Sequence, residues 1–236
     1  MRDFSYLETI SIEIGSDCNL KKIHTVCPAN VMSRSDKDIL SVEEVCKVMD
    51  EAVDNGFKGL FAFHFYNEPL IYIERISDVM QRRPQYKYLL WSNGILVNKV
   101  NEEGFDFNLF EKIVFTCYDK KYNEILLSLK ETHRETQIFQ PEMDDRLNIY
   151  TAEEMKQLSC KKMKVELPID CEGNVYICTF DYKKEFLLGN IREQSLLSII
   201  NSQQYIQYFD AHSKLLMSDN ACELCRKCRR VYRNKT

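Results

Sequence analysis

The sequence is poor in glycine and proline, the residues that interrupt helices and strands or make a chain flexible. It has 7 Gly and 5 Pro among 236 residues, and no low-complexity tract. This composition excludes collagen-like chains and long flexible linkers, and the lack of an internal repeat excludes a solenoid. Since 44% of the residues are hydrophobic, we expect a globular chain with one large domain, or one domain with a small annex.

An excess of positive charge is also missing. The formal net charge is -4, and only the stretch "CRKCRRVYRNKT" is locally basic, so a nucleic-acid partner is not expected. No apolar run approaches the length of a membrane span, and "MRDFSYLETI" lacks the pattern of a signal peptide. We therefore expect a cytoplasmic protein with no membrane partner.

Cysteine, by contrast, is abundant, with 10 residues. Reducing conditions disfavour disulfides, which leaves metal binding or redox chemistry as reasons for so many thiols. Cys46 and Cys117 stand apart, and we interpret both as core residues. The others form an early pair and a late group: Cys18 and Cys27, then Cys160, Cys171, Cys178, Cys222, Cys225 and Cys228.

Strand-like and helix-like segments alternate up to about residue 150. Strands are predicted at residues 8–14, 59–65, 86–91, 112–118 and 136–140. The most secure helix has Ser41 as N-cap, Glu44 as its capping-box partner and Gly56 as its stop. Alternation of this kind predicts a mainly parallel α/β sheet, in which ligands bind beyond the carboxyl ends of the strands.

The pattern changes after Thr151. The segment "KVELPIDCEGNVYICTFD" predicts two short strands with a turn at residues 170–174, followed by "LLGNI" and a helix from Ser195. Two overlapping CxxC steps in "CELCRKC" indicate a metal site, for which Cys160 and Cys178 supply further soft ligands. Iron-sulfur and zinc-ribbon sites both fit this set of thiols.

These motifs together resemble the radical S-adenosylmethionine (SAM) enzymes that carry a C-terminal auxiliary-cluster domain of the SPASM or Twitch type. "DCNL" and "CPAN" resemble the two ends of the family's CxxxCxxC loop, and "YNEPL" and "SNG" resemble its SAM-contacting segments. "CEGNVYICTFD", "LGNI" and "CELCRKC" resemble the auxiliary domain. The resemblance implies a partial (β/α) TIM-type barrel over residues 1–150 and a domain of β-hairpin plus helix over residues 151–236.

The resemblance also implies functional residues. A [4Fe-4S] cluster that binds SAM would be held at Cys18 and Cys27, and an auxiliary [4Fe-4S] cluster at Cys160, Cys178, Cys225 and Cys228. The implied SAM contacts are Tyr66, Asn67, Glu68, Ser92 and Asn93. Arg146 falls near a substrate-pocket arginine of a dehydrogenase in the family. Cys171 and Cys222 receive no role.

The first cysteine loop departs from the family motif, because Lys22 stands where the middle cysteine is expected. An ammonium is a poor iron ligand, and two thiolates alone would hold a cluster weakly. Three readings stay open: His24 supplies the third bond, a distant thiol such as Cys46 or Cys117 does so, or the site has lost its cluster.

If the cluster forms, the resemblance implies that a reduced cluster splits SAM and that a 5'-deoxyadenosyl radical abstracts hydrogen from the substrate. The expected substrate is a small polar metabolite, such as an aminocyclitol or sugar, or a peptide. A reductant such as flavodoxin or ferredoxin is the expected protein partner. The alternative is a catalytically silent relative that keeps the auxiliary cluster as a partner or electron-transfer module.

Overall fold

The structure is a computed structural model. It describes residues 2–24, 27–31, 34, 36–133, 135–140, 160–213 and 223–228. Two residues singled out above, Arg146 and Cys222, lie outside this range.

Strands and helices alternate along the described chain. The strands are β1 (Thr9–Ile12), β2 (Leu60–Ala62), β3 (Tyr88–Ser92), β4 (Lys112–Thr116), β5 (Thr136–Phe139), β6 (Glu166–Ile169), β7 (Asn174–Tyr176) and β8 (Leu187–Asn190). The α-helices are α1 (Pro28–Val31), α2 (Val42–Asp54), α3 (Ile73–Arg82), α4 (Val97–Glu102), α5 (Asn123–Thr132), α6 (Lys162–Val165), α7 (Leu196–Ile200), α8 (Gln203–Ser213) and α9 (Glu223–Lys227). Short 3-10 turns occupy Pro69–Tyr72, Phe107–Leu109 and Lys120–Tyr122.

The described strands form one sheet in the order β5-β4-β3-β2-β1-β6-β7-β8. Strands β1 to β5 pair in parallel, which confirms the predicted parallel sheet. The architecture is the partial (β/α) TIM-type barrel that the family resemblance implied.

The predicted hairpin is present as β6 and β7, which pair antiparallel, and β8 pairs antiparallel with β7. The turn between β6 and β7 is held by Asp170, whose Oδ1 accepts from the backbone N–H groups of Glu172 and Asn174. Strand β6 also pairs in parallel with β1, so the hairpin continues the barrel sheet. The predicted division into residues 1–150 and 151–236 stays a prediction.

Helix α2 begins as predicted. The Ser41 side chain accepts from the Glu44 N–H, and the Glu44 side chain accepts from the Ser41 N–H, which completes a capping box. Gly56 follows the helix with φ 96°, a conformation that favours glycine.

Strand β2 is shorter than predicted. The expected strand covered residues 59–65, and the observed one ends at Ala62. Asn67 explains the difference, because its side chain accepts from the Phe65 N–H and donates to the Phe63 carbonyl. These bonds turn the backbone away from the strand ladder and towards the loop.

The main core lies on the helix-covered face of the sheet. Ile10 and Ile12 of β1 pack there with residues of α2, such as Val45 and Met49. The residues that alternate with them face the inside of the barrel, and Ser11 there is fully buried. No helix within the described ranges is long and apolar enough to cross a membrane.

Candidate cofactor site

The loop after β1 begins with a close approach at Gly15. A Cβ at this position would lie 2.2 Å from the ring of Tyr72, so only glycine lets the ring pack there. The Tyr72 hydroxyl accepts from the Asp17 N–H at 2.8 Å and donates to the Asp36 carboxylate. These contacts fix the backbone immediately before Cys18.

Glu68 joins the loops after β2 and β3. Its carboxylate accepts from the Ser92 hydroxyl at 2.6 Å, the Asn93 N–H at 2.9 Å and the Leu70 N–H at 3.1 Å. The side chain is buried, and burial raises the pKa of its carboxyl group although these three bonds work in the opposite direction. Glu68 therefore holds the loops after β2 and β3 together, and among the described residues its Oε2 accepts only from the Asn93 N–H.

The loop that contains Cys18 is tied to the same two loops. The Glu68 N–H donates to the Asp17 carbonyl at 2.9 Å, and the Asn93 amide donates to Asn19 Oδ1 at 2.6 Å. The structure thus brings the carboxyl ends of β1, β2 and β3 into one polar site. Ligands bind at this end of such sheets.

Two of the predicted SAM contacts have structural roles of their own. The Tyr66 hydroxyl donates to the Asp181 carbonyl at 2.7 Å, and its ring stacks on Phe65. Asn67 bonds within its own turn. Their roles towards a cofactor, like those of Ser92 and Asn93, stay predictions, and Arg146 lies outside the described residues.

Within the first cysteine loop, Lys22 and His24 have opposite environments. Lys22 is exposed. His24 is buried, its N–H donates to the Leu20 carbonyl at 2.8 Å, and its ring lies edge-on to Tyr118 with 4.4 Å between centroids. Its carbonyl accepts from the Cys27 N–H at 3.0 Å, so one compact turn carries both residues.

The isolated cysteines are core residues, as predicted. Cys46 has no exposed surface, and Cys117 is buried with its thiol within hydrogen-bond reach of the Asp119 carbonyl and Asn123 Oδ1. Either thiol would have to leave its packing to reach the first cysteine loop. These positions weaken the reading in which a distant thiol completes that loop.

The C-terminal thiols lie near the end of β7. Cys178 is buried, its Sγ accepts from the Phe180 N–H at 3.4 Å, and both Cys160 and Lys162 are close enough to influence its charge. Burial raises the pKa of this thiol, and the nearby cation works the other way. Cys225 packs against the main core that includes Cys178, and Cys228 packs beside Tyr66 and Tyr176.

The two groups of thiols differ in how well they fit iron-sulfur clusters. The C-terminal group offers four soft ligands, a backbone donor to sulfur and a nearby cation, which together suit an anionic cluster. The first loop offers two thiols and a buried imidazole. In neither group do three potential metal ligands converge on one point within the part of the chain that the structure describes.

The inner face of the barrel holds a group of polar side chains, of which Ser11, Lys162 and Glu166 were not singled out from the sequence. The Ser11 hydroxyl donates to Glu166 Oε1 at 2.7 Å, and Lys162 forms an ion pair with the same carboxylate. Burial works to raise the Glu166 pKa, but the charges of Lys162 and His64 lower it. His64 lies 5.4 Å from Trp91 between ring centroids. Alternation along the strands was the only sequence signal for Ser11 and Glu166.

Glu13 and Arg34 form a second buried pair that sequence reasoning missed. Glu13 follows β1 and accepts from the Tyr66 N–H at 2.9 Å and the Cys171 N–H at 3.3 Å. Arg34 is ion-paired with this carboxylate. The pair thereby connects the segments that follow β1, β2 and β6.

Comparison with known proteins agrees with this architecture. Residues 160–229 match the model of the SPASM family, described as an iron-sulfur cluster-binding domain. The fold as a whole is similar to the folds of solved radical SAM enzymes.

Among individual proteins, the chain is similar to the S-adenosyl-L-methionine-dependent 2-deoxy-scyllo-inosamine dehydrogenase of Niallia circulans. The two are 21% identical over 94% of this chain and 92% of that protein. The crystal structure of BtrN with AdoMet and 2-DOIA matches with a TM-score of 0.66 at 18% identity, covering 90% of this chain and 92% of that one. Streptococcus suis SuiB bound to the precursor peptide SuiA matches with a TM-score of 0.54 at 11% identity, covering 96% and 75%.

Proposed function

We propose that this protein is a radical SAM oxidoreductase that oxidises a small polyhydroxylated metabolite such as an aminocyclitol. The observation that carries the proposal is that similarity to the 2-deoxy-scyllo-inosamine dehydrogenase runs through the barrel and the C-terminal domain together. A cytoplasmic location, and a reductant such as flavodoxin or ferredoxin, belong to the same proposal.

The loops tied by Glu68 are the proposed SAM site. A carboxylate fixed beyond a strand end can accept from the ammonium of a methionine group. Ser92 and Asn93 hold that carboxylate in place, so SAM would meet an acceptor that needs no reorientation. When bound, the clusters and SAM supply the radical and redox chemistry, and the protein positions the substrate and excludes water.

His24 is the third ligand that we propose for the first loop. It is buried beside Cys27, whereas Lys22 is exposed and the thiols of Cys46 and Cys117 are engaged in the core. Imidazole nitrogen serves as an iron-sulfur ligand in Rieske centres.

A silent relative is the second candidate function. The observation that favours it is the lysine, Lys22, in place of the middle cysteine of the first loop. Such a protein would keep only the auxiliary cluster and act as a partner or electron-transfer module.

One experiment separates the two candidates. After anaerobic reconstitution, iron and sulfide are counted, and 5'-deoxyadenosine is measured under strong reduction with and without 2-deoxy-scyllo-inosamine. The oxidoreductase should hold about eight iron per chain and cleave SAM, because two [4Fe-4S] clusters are bound. About four iron and no 5'-deoxyadenosine would establish the silent relative instead.

A further inference from the structure

Arg34 is a buried cation at the ligand-binding end of the sheet. Its side chain is 6% exposed and forms an ion pair with Glu13. The guanidinium Nη2 lies 3.9 Å from the Cys171 sulfur, and the guanidinium carbon lies 5.8 Å from the centre of the Tyr66 ring. Arg34 thus contacts the segments that follow β1, β2 and β6, through Glu13, Tyr66 and Cys171 respectively.

Part of this guanidinium has no hydrogen-bond partner among the described residues. Its contacts with Glu13 and Cys171 both use Nη2, whereas the buried Nε–H and Nη1–H groups donate to no acceptor among the residues that the structure describes. Buried N–H groups are nearly always paired, since leaving one unpaired costs the full price of its desolvation. The Nε–H and Nη1–H groups of Arg34 are therefore available to donate hydrogen bonds to a ligand.

The charge around Arg34 is already balanced. Glu13 neutralises the guanidinium, and the neighbouring Asp170 is paired with Lys184 at 2.7 Å. Cys171 adds no charge near neutral pH, because burial raises the pKa of its thiol to about 12. A carboxylate bound here would be a buried charge without a counter-ion, whereas a hydroxyl or carbonyl oxygen adds no charge.

We propose that the Nε–H and Nη1–H groups of Arg34 bind neutral oxygen atoms, hydroxyl or ketone, of a cyclic polyol substrate. This inference rests on the proposed function and deepens it, since it selects hydroxylated rings over carboxylates at this position. Arg34 is then a specificity-determining residue, and Glu13 positions it.

The test compares Arg34→Lys with the control Arg83→Lys. Lysine keeps a cation for Glu13 but lacks the planar donors. Arg83 is paired with Asp50 at the end of α3, so its variant reports on the loss of an arginine ion pair elsewhere. The probes are 2-deoxy-scyllo-inosamine, scyllo-inositol and the carboxylated ring quinate, titrated calorimetrically into anaerobically reconstituted protein with SAM present.

The wild type should bind at least one of the two carboxylate-free rings, and more tightly than quinate. Arg34→Lys should weaken that binding about 10- to 100-fold, the range expected when charged hydrogen-bond donors are lost. Iron content and SAM affinity should stay unchanged, and Arg83→Lys should bind the ring as the wild type does. If Arg34→Lys does not fold, Arg34→Gln combined with Glu13→Gln removes both charges and serves in the same comparison.

Three results would overturn the inference: equal ring affinity in Arg34→Lys and wild type, preference for quinate, or no ring binding by a wild type that cleaves SAM. In the last case the proposed oxidoreductase function still stands. If the wild type does not cleave SAM but binds the ring through Arg34, the proposed function fails and the binding site stands.

Discussion

The two groups of thiols in this chain show how differently a fold can support similar chemistry. The C-terminal group lies beside strands and core residues, and Cys178 is held by burial and by the Phe180 N–H. The first loop connects β1 to α1, and it is held by backbone hydrogen bonds and by side chains of neighbouring loops. A metal ligand next to a sheet is fixed by long-range packing, whereas a loop tolerates a changed number of residues between its cysteines. The unusual motif therefore occurs where the backbone has more conformational freedom.

The largest effect is expected from Cys178→Ala. The variant should lose about four iron per chain, because its thiol is a proposed ligand of the auxiliary cluster, and soluble yield should fall, because metal binding contributes to folding of such small units. Iron analysis after reconstitution measures the first effect. The control is Cys46→Ala, which should keep all its iron and lose only about 1 kcal/mol of unfolding free energy. Full iron in Cys178→Ala would remove this residue from the ligand set.

The next largest effect is expected from His24→Ala. It should lose the iron of one cluster together with SAM cleavage, whereas His24→Cys should keep both because thiolate is the more usual iron ligand. The matched control is Lys22→Ala, which should retain iron since its side chain is exposed. If His24→Ala retains iron and 5'-deoxyadenosine formation, the histidine is not a ligand.

Glu68→Ala should have a smaller effect, on stability as well as on SAM binding. The substitution leaves three buried donors without their acceptor, so the unfolding free energy should fall by about 3 kcal/mol. SAM affinity should fall about tenfold or more, the scale of one charge-assisted hydrogen bond. Urea denaturation and calorimetry measure the two effects, with the exposed Glu74→Ala as control. Unchanged stability would show that the carboxylate does not join the loops.

The smallest effect is expected from the ion pair that connects the segment after β8 to helix α2. Arg192, which follows β8, donates to the Glu44 carboxylate on α2, and this bond and the Ser41 contacts lower the Glu44 pKa to about 2. A lowered carboxyl pKa stabilises the fold above the unfolded value of 4.5, and the contribution is lost as the pH falls towards 2. Because the pair is partly exposed, we expect less than about 1 kcal/mol.

Urea midpoints of wild type and Glu44→Gln, measured across this pH range, test whether the Glu44–Arg192 ion pair stabilises the fold. The wild type should be more stable at pH 6, and the difference should shrink as the pH falls from 4.5 to 2. Glu74→Gln should show no comparable dependence. A difference that stays constant with pH would rule out the ionised Glu44 as its source.

Local features of the fold were predictable because their signals lie within a few residues. The capping box of α2 joins Ser41 to Glu44, and the hairpin turn follows from Asp170 and its neighbours. The length of β2 was predicted less well, since an apolar run does not reveal that Asn67 ends the strand with its side chain. The sequence predicted which loops form the candidate site, but it did not predict the hydrogen bonds that join them. Nothing local shows that Glu68 receives donors from Ser92 and Asn93.

The sequence by itself determined the alternation of strands and helices, the helix cap, and the soft ligands at CxxC spacing, because each depends on short-range geometry or on the chemistry of one residue type. Only the tertiary structure decided that Glu13 and Arg34 are buried together, and that the inner face of the barrel carries Ser11 and Glu166. The physical reason is that these pairs join residues distant in the chain. Alternation assigns a polar residue to a face of the sheet, but only the assembled barrel determines whether that face meets solvent, a partner or a ligand.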